Sequence, residues 1–120
     1  MKILIVDDSK AMRMIVRRSL RQAGFGSCEV SEAADGKLAL EAIRAAPPDL
    51  VLSDWNMPEM TGIELLDELR REGNQVRFGF ITTEGTPDMR ARALEAGALF
   101  LLAKPFTAED LQNTLERVAL

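Results

Sequence analysis

A small set of polar side chains in this sequence sits where they could act together on one anionic group. Asp7 and Asp8 follow the apolar run 3–6, and Asp54 follows 50–53. Thr82 and Thr83 follow 76–81, and Lys104 follows 99–103. Runs of that length read as buried strands, and ligands of open α/β sheets bind at the carboxyl ends of strands. Three carboxylates brought close together repel one another, and one should take up a proton unless a cation compensates. The available ligands are carboxylate and backbone carbonyl oxygens, because the chain has no histidine and its lone cysteine, Cys28, is near none of them in sequence. A hard ion therefore fits, Mg2+ before Ca2+. Mg2+ commonly bridges one or two carboxylates to a phosphate. That leaves one aspartate as a nucleophile, with Lys104 and Thr82 to receive phosphoryl oxygens. Carboxylate attack on phosphorus is an established covalent route, assisted mainly by positioning and charge neutralisation. Each residue alone has a plainer reading as a strand end or a cap; their joint placement carries the argument.

The elements that must position these residues alternate along the whole chain. Residues 3–6 form a strand candidate. In 9–23, Met12, Val16 and Leu20 recur at helical spacing, and Gly24 is a natural stop. A weaker strand at 29–33 precedes a helix led by Asp35, carrying Leu38, Ala42 and Ile43 and ended before Pro47 and Pro48. Residues 50–53 form the third strand. A loop with Pro58 and Gly62 leads to a helix with Ile63, Leu66 and Leu69. The fourth strand is 76–81, and Gly79 inside it predicts close packing or a bulge. Thr86-Pro87-Asp88 supplies a cap, a first-turn proline and an acid for the helix dipole; that helix ends at Gly97. After the fifth strand, 99–103, Thr107 and Asp110 resemble a capping box opening a helix with Leu111, Leu115 and Val118. Five strands separated by five helices predict one doubly wound α/β domain over 1–120, with parallel pairing and helices on both faces.

The composition narrows the function classes. A formal net charge of −4 argues against a nucleic-acid footprint, although Lys10, Arg13, Arg17, Arg18 and Arg21 cluster on the first helix. That cluster reads either as a solvated face or as a docking surface for an acidic kinase or phosphotransfer domain. No run approaches a membrane span and the amino-terminal run is too short for a secretory segment, so a cytoplasmic protein without a membrane partner is expected. The lone cysteine implies no oxidising compartment. Methionines such as Met12, Met14 and Met57 are expected to fill core and loop positions.

Together Ile-Val-Asp7-Asp8-Ser9, the stretch Ser53-Asp54-Trp55-Asn56-Met57-Pro58-Glu59-Met60-Thr61-Gly62, Ile81-Thr82-Thr83-Glu84, Ala96-Gly97-Ala98 and Lys104-Pro105-Phe106 resemble a response-regulator receiver domain over the full length. The resemblance is closest to the stand-alone chemotaxis type. It implies a flavodoxin-like sheet in the order 2-1-3-4-5. It also implies phosphorylation of Asp54, with Mg2+ bound by Asp8, Asp54 and the backbone carbonyl of Asn56, and with Asp7 acting through water or positioning Asp8. Thr82 would hydrogen-bond the new phosphoryl group and Lys104 would pair with it. Asn56 and Glu84 would tune dephosphorylation, and the bond before Pro105 would be cis, helping to aim the lysine. The donor would be a phosphohistidine on a sensor kinase or phosphotransfer protein. The chain would catalyse only its own phosphorylation and dephosphorylation. With no output domain attached, it would act through a partner protein or by self-association, as a monomer or a phosphorylation-linked dimer. The partner would bind the face formed by the fourth helix, fifth strand and fifth helix.

Some positions depart from the family pattern. Leu101 stands where many receivers carry a switching aromatic, and strand alternation points the neighbouring Phe100 to the other face. Leu99 and Phe100 make this edge apolar, read either as packing against a helix or as an output contact with Thr82, Leu101 and Pro105 in the switch. Thr86 and Pro87 replace lysines often found in members that bind the flagellar motor. Two other functions compete: a haloacid-dehalogenase-like phosphatase, which would carry its nucleophile in an Asp-x-Asp on the first strand, and a binding module that never uses its phosphorylation site. A dinucleotide site is weaker still, because no Gly-x-Gly-x-x-Gly follows the first strand.

Overall fold

The structure, a computed structural model, describes residues 1–118. Five strands, β1 (Lys2–Val6), β2 (Glu29–Ala33), β3 (Leu50–Ser53), β4 (Arg77–Thr82) and β5 (Phe100–Ala103), pair in parallel in the order β2-β1-β3-β4-β5. Between and after them run α1 (Lys10–Leu20), α2 (Gly36–Ala45), α3 (Gly62–Arg71), α4 (Pro87–Glu95) and α5 (Ala108–Arg117). Parallel neighbours need crossovers; the one from β1 to β2 runs one way across the sheet and the next three run the other way, so right-handed connections put α1 on one face and α2, α3 and α4 on the other. On one face Leu4, Val6, Val51, Phe78, Phe80 and Leu101 pack with the buried residues of α2, α3 and α4. On the other, Ile3, Ile5, Leu50, Leu52, Ile81 and Phe100 meet Val16 and Leu20 of α1 and Leu111 and Leu115 of α5.

The helix starts follow the expected caps. Ser9, Asp35, Thr86 and Thr107 each accept a hydrogen bond from the amide three residues on, and Thr107 with Asp110 forms a complete capping box. Thr61 and Glu64 form another at α3. Past α1 the chain makes a wider π-type turn over Arg21–Phe25, where Gly24 takes φ 94°.

The face of α2 differs from the sequence expectation. Leu38 is exposed and so is Ala42, whereas Gly36, Ala39, Leu40 and Ile43 are buried. A Cβ on Gly36 would lie 2.5 Å from the carbonyl oxygen of Met60, so this glycine must face inward. The buried stripe then follows at i+3, i+4 and i+7 from it. Met14 is also exposed, while Met57 is buried and Met12 packs against the α1–α5 core.

Gly79 and Gly62 each permit a close approach. A Cβ on Gly79 would sit 2.2 Å from Cζ of Phe100, so the phenyl ring lies directly on the β4 backbone. A Cβ on Gly62 would sit 2.1 Å from the carbonyl oxygen of Asp54. The start of α3 is therefore seated against the residue that ends β3.

Candidate functional site

Register across the sheet builds the site. Val6 pairs with Ser53, Ser53 with Phe80 and Phe80 with Leu101, so Asp7 and Asp54 emerge side by side one residue later. The Asp54 amide donates to Val6 O at 2.9 Å, closing that step. Thr82 pairs with Ala103, and the Lys104 amide donates to Thr82 O at 2.8 Å. The lysine thus leaves β5 level with the end of β4.

Side-chain contacts finish the arrangement. Lys104 Nζ lies 3.0 Å from Oδ2 of Asp7 and 3.7 Å from Oδ2 of Asp54, with only 8% of its side chain exposed. Asp7 is buried, and its Oδ1 accepts from the Ser9 amide at 2.9 Å. The Trp55 amide donates to Asp54 Oδ1 at 2.7 Å and fixes the carboxylate rotamer. Thr82 is fully buried; its Oγ1 accepts from the Glu84 amide at 3.4 Å. Asp8, Asn56 and Glu84 are exposed around the rim. The Lys104–Pro105 bond is cis.

One carboxylate oxygen from each of Asp7, Asp8 and Asp54 lies within 4.8 Å of the others. Burial pushes the Asp54 carboxyl up from its ordinary value; Lys104 opposes that rise, the Asp7 charge adds to it, and contacts from the Trp55 amide and the Thr82 hydroxyl oppose it again. One ammonium is thus shared by two carboxylates while a third stands beside them. The donor set is all hard oxygen, which suits a divalent cation of the Mg2+ class.

The matches to known proteins agree with this geometry. Residues 3–116 match the model of the response regulator receiver domain. The chain belongs to the response regulator receiver family. This receiver is 41% identical to chemotaxis protein CheY-3 of Vibrio cholerae, over 98% of this chain and 91% of that protein. It is 39% identical to chemotaxis protein CheY of Pseudomonas aeruginosa, over 98% and 95%. Among solved structures, Vibrio cholerae CheY4 superposes with a TM-score of 0.84 at 39% identity, covering 98% of this chain and 97% of that one. The receiver domain of a putative NarL from Mycobacterium tuberculosis superposes at 0.87 with 32% identity, covering 98% and 94%. A receiver is a phosphoryl-accepting switch of two-component signalling rather than a metabolic enzyme, and it implies a donor kinase and a downstream partner. The phosphatase and inert-module readings are not favoured. No helix among the described residues is long and apolar enough to cross a membrane.

The structure brings Asp7, Asp8, Asp54, Thr82 and Lys104 together. It revises the apolar edge. Phe100 is buried over Gly79 and Leu101 is buried on the opposite face against Phe78 and Phe80. Phe100 is therefore core rather than an exposed output contact, and Leu99 with Leu94 is what reaches solvent there. The reason lies in the partner strand: only a glycine at position 79 leaves room for that ring. The basic run is also revised. Arg13 and Arg17 are engaged by Glu32, at 2.8 and 2.7 Å, leaving Lys10, Arg18 and Arg21 exposed. The sequence offers Gly62 as a turn and as the end of the Asp54 motif, and Arg13 as one of the basic residues of α1, but marks neither as a contact of the site; the partners of Arg13 are six and nineteen residues away.

Proposed function

We propose that Asp54 accepts a phosphoryl group from a phosphohistidine donor and that the 120 residues act as one chemotaxis-type receiver unit in the cytoplasm. The observation that carries this reading is the three-carboxylate cluster beside a lysine shared between Asp7 and Asp54. Asp8, Asp54 and the Asn56 carbonyl would hold Mg2+, with Asp7 contacting it through water or positioning Asp8. Bound there, the ion supplies charge neutralisation for the phosphoryl oxygens. Trp55 N–H holds one oxygen of Asp54, so the carboxylate presents a single orientation. An Asp54 oxygen forms the new P–O bond as the donor's P–N bond breaks, and the imidazole leaves with the electron pair and takes a proton. Lys104, 3.7 Å from Oδ2, would follow the incoming negative charge, and the buried Thr82 hydroxyl would donate to it. The exposed Asn56 and Glu84 side chains flank the group and would set how readily water reaches it.

The exposed Lys10, Arg18 and Arg21 would meet an acidic donor domain. On the opposite flank, Arg90, Leu94, Leu99 and Arg117 line a groove between α4, β5 and α5, which would receive the output protein or a second receiver. Leu101 forms part of that groove from beneath, and its carbonyl accepts from Arg90 Nη1 at 2.8 Å. A shift of Thr82 toward the phosphoryl group would reach the groove through this strand, with Leu101 changing rotamer where other receivers move an aromatic ring.

Mass spectrometry after incubation with Mg2+ and a small acyl phosphate tests the assignment. One added phosphoryl group is expected, absent in Asp54→Asn. Retention of the modification in that variant would place the chemistry elsewhere.

A further inference from the structure

Arg13 reaches from α1 to the backbone of the acidic pair. Its Nη1 donates to the carbonyl of Asp7 at 2.6 Å and its Nε donates to Oε1 of Glu32 at 2.8 Å. Only 15% of this side chain is exposed. Arg17 grips the other Glu32 oxygen at 2.7 Å and the Val30 carbonyl at 3.4 Å. Glu32, on the edge strand β2, is thereby held from two sides and sets the direction of the Arg13 fork. A planar guanidinium can serve two acceptors in fixed directions at once, which an ammonium on a flexible stem cannot.

The oxygen that Arg13 takes belongs to the peptide joining Asp7 to Asp8. The sheet partners the Asp7 N–H, on Ala33 O at 3.1 Å, and Arg13 partners its carbonyl. Because the peptide unit is planar, pinning that oxygen fixes the plane from which Asp8 departs. The Asp7 carboxylate is held separately, by the Ser9 amide and Lys104. Asp8 is the exposed member of the cluster, so its placement depends most on this peptide.

We infer that Arg13 is a positioning residue for the acidic pair, holding the Asp7–Asp8 peptide in the orientation that lets Asp8 and Asp54 share a divalent cation. The inference rests on reading the cluster as a Mg2+ site. Charge alone predicts the opposite outcome: a guanidinium beside a cation site repels the ion, so its removal would tighten binding. The two roles are separated by sign.

The test is a Mg2+ titration of the whole protein followed by Trp55 fluorescence, for wild type, Asp8→Ala, Arg13→Lys and Arg13→Met, with thermal unfolding in the absence of Mg2+ alongside. Partners that orient metal ligands are worth roughly 10–100-fold in affinity. Arg13→Lys, which keeps the charge and loses the fork, should raise the Mg2+ Kd roughly tenfold, at the lower end of that range. Arg13→Met should weaken binding at least as much despite removing a positive charge. Phosphorylation by a small acyl phosphate should recover in both at saturating Mg2+. An unchanged Kd in Arg13→Lys, or tighter binding in Arg13→Met, overturns the inference, and if Arg13→Met does not fold, Arg13→Lys decides alone. A wild type without a saturable response, or a response that survives in Asp8→Ala, overturns the Mg2+ reading itself and this inference with it.

Discussion

Replacing Lys104 by methionine removes the one cation among the described side chains that lies between Asp7 and Asp54. Its ammonium stands 3.0 Å from one carboxylate oxygen and 3.7 Å from the other. At an effective dielectric of about 20, such contacts are worth about 5.5 and about 4.5 kcal/mol of attraction. Desolvating the ions offsets several kcal/mol of that. Breaking a buried pair by deleting one partner costs about 3–5 kcal/mol, because the other charge is left uncompensated. Domains of this size have only about 5–15 kcal/mol of stability to lose. The assay is urea unfolding in EDTA at pH 7, followed by Trp55, whose ring centroid is 4.8 Å from that of Phe80. Lys104→Met should lose about 3–5 kcal/mol, the Lys104→Met/Asp54→Asn double variant should lose less, and saturating Mg2+ should narrow the gap. The pH dependence has a definite sign. Asp54 is already pushed up by burial and held down by Lys104; without the lysine it rises further. A carboxyl whose folded value is raised adds no penalty below the unfolded value of about 3.9; the penalty grows as pH climbs from there to the folded value and is constant above it. The deficit should therefore shrink as pH falls toward 4. Equal urea midpoints for wild type and Lys104→Met in EDTA at pH 7, or a deficit that stays constant down to pH 4, would refute this electrostatic account.

Two further predictions separate roles that look alike in the sequence. Gly62→Ala places a methyl against the Asp54 carbonyl, a backbone atom that cannot swing aside; it should cost about 1–3 kcal/mol or more and slow phosphorylation by acyl phosphate, and wild-type values for both would show that α3 is not seated there. Leu99→Ser, at an exposed position, should change stability by about 0.5 kcal/mol or less while weakening partner capture in a pull-down, whereas Phe100→Ser should cost about 3–5 kcal/mol in urea unfolding. Equal stability losses at the two positions would sink the assignment of Phe100 to the core.

Much of this receiver is determined locally. Short apolar runs ended by Asp7, Asp54, Thr82 and Lys104, and caps at Asp35, Thr86 and Thr107, are legible because strand burial and end-capping depend on residues within a few positions of one another. The convergence of carboxylates was legible too, since parallel crossovers put every strand's carboxyl end on one rim. Tertiary structure decided which of them meet. The shared lysine contacts Asp7 across 97 residues of chain, a pairing set by the successive registers of β1, β3, β4 and β5. It also decided orientation. Leu38 faces out because Gly36 must pass close to Met60, Phe100 is buried because position 79 carries no side chain, and Arg13 leaves the basic face of α1 because Glu32 waits on β2. Periodicity reports that a helix or strand has an apolar side. Which residues occupy it depends on backbone approaches and ion pairs between elements distant in sequence, and those exist only once the sheet has formed.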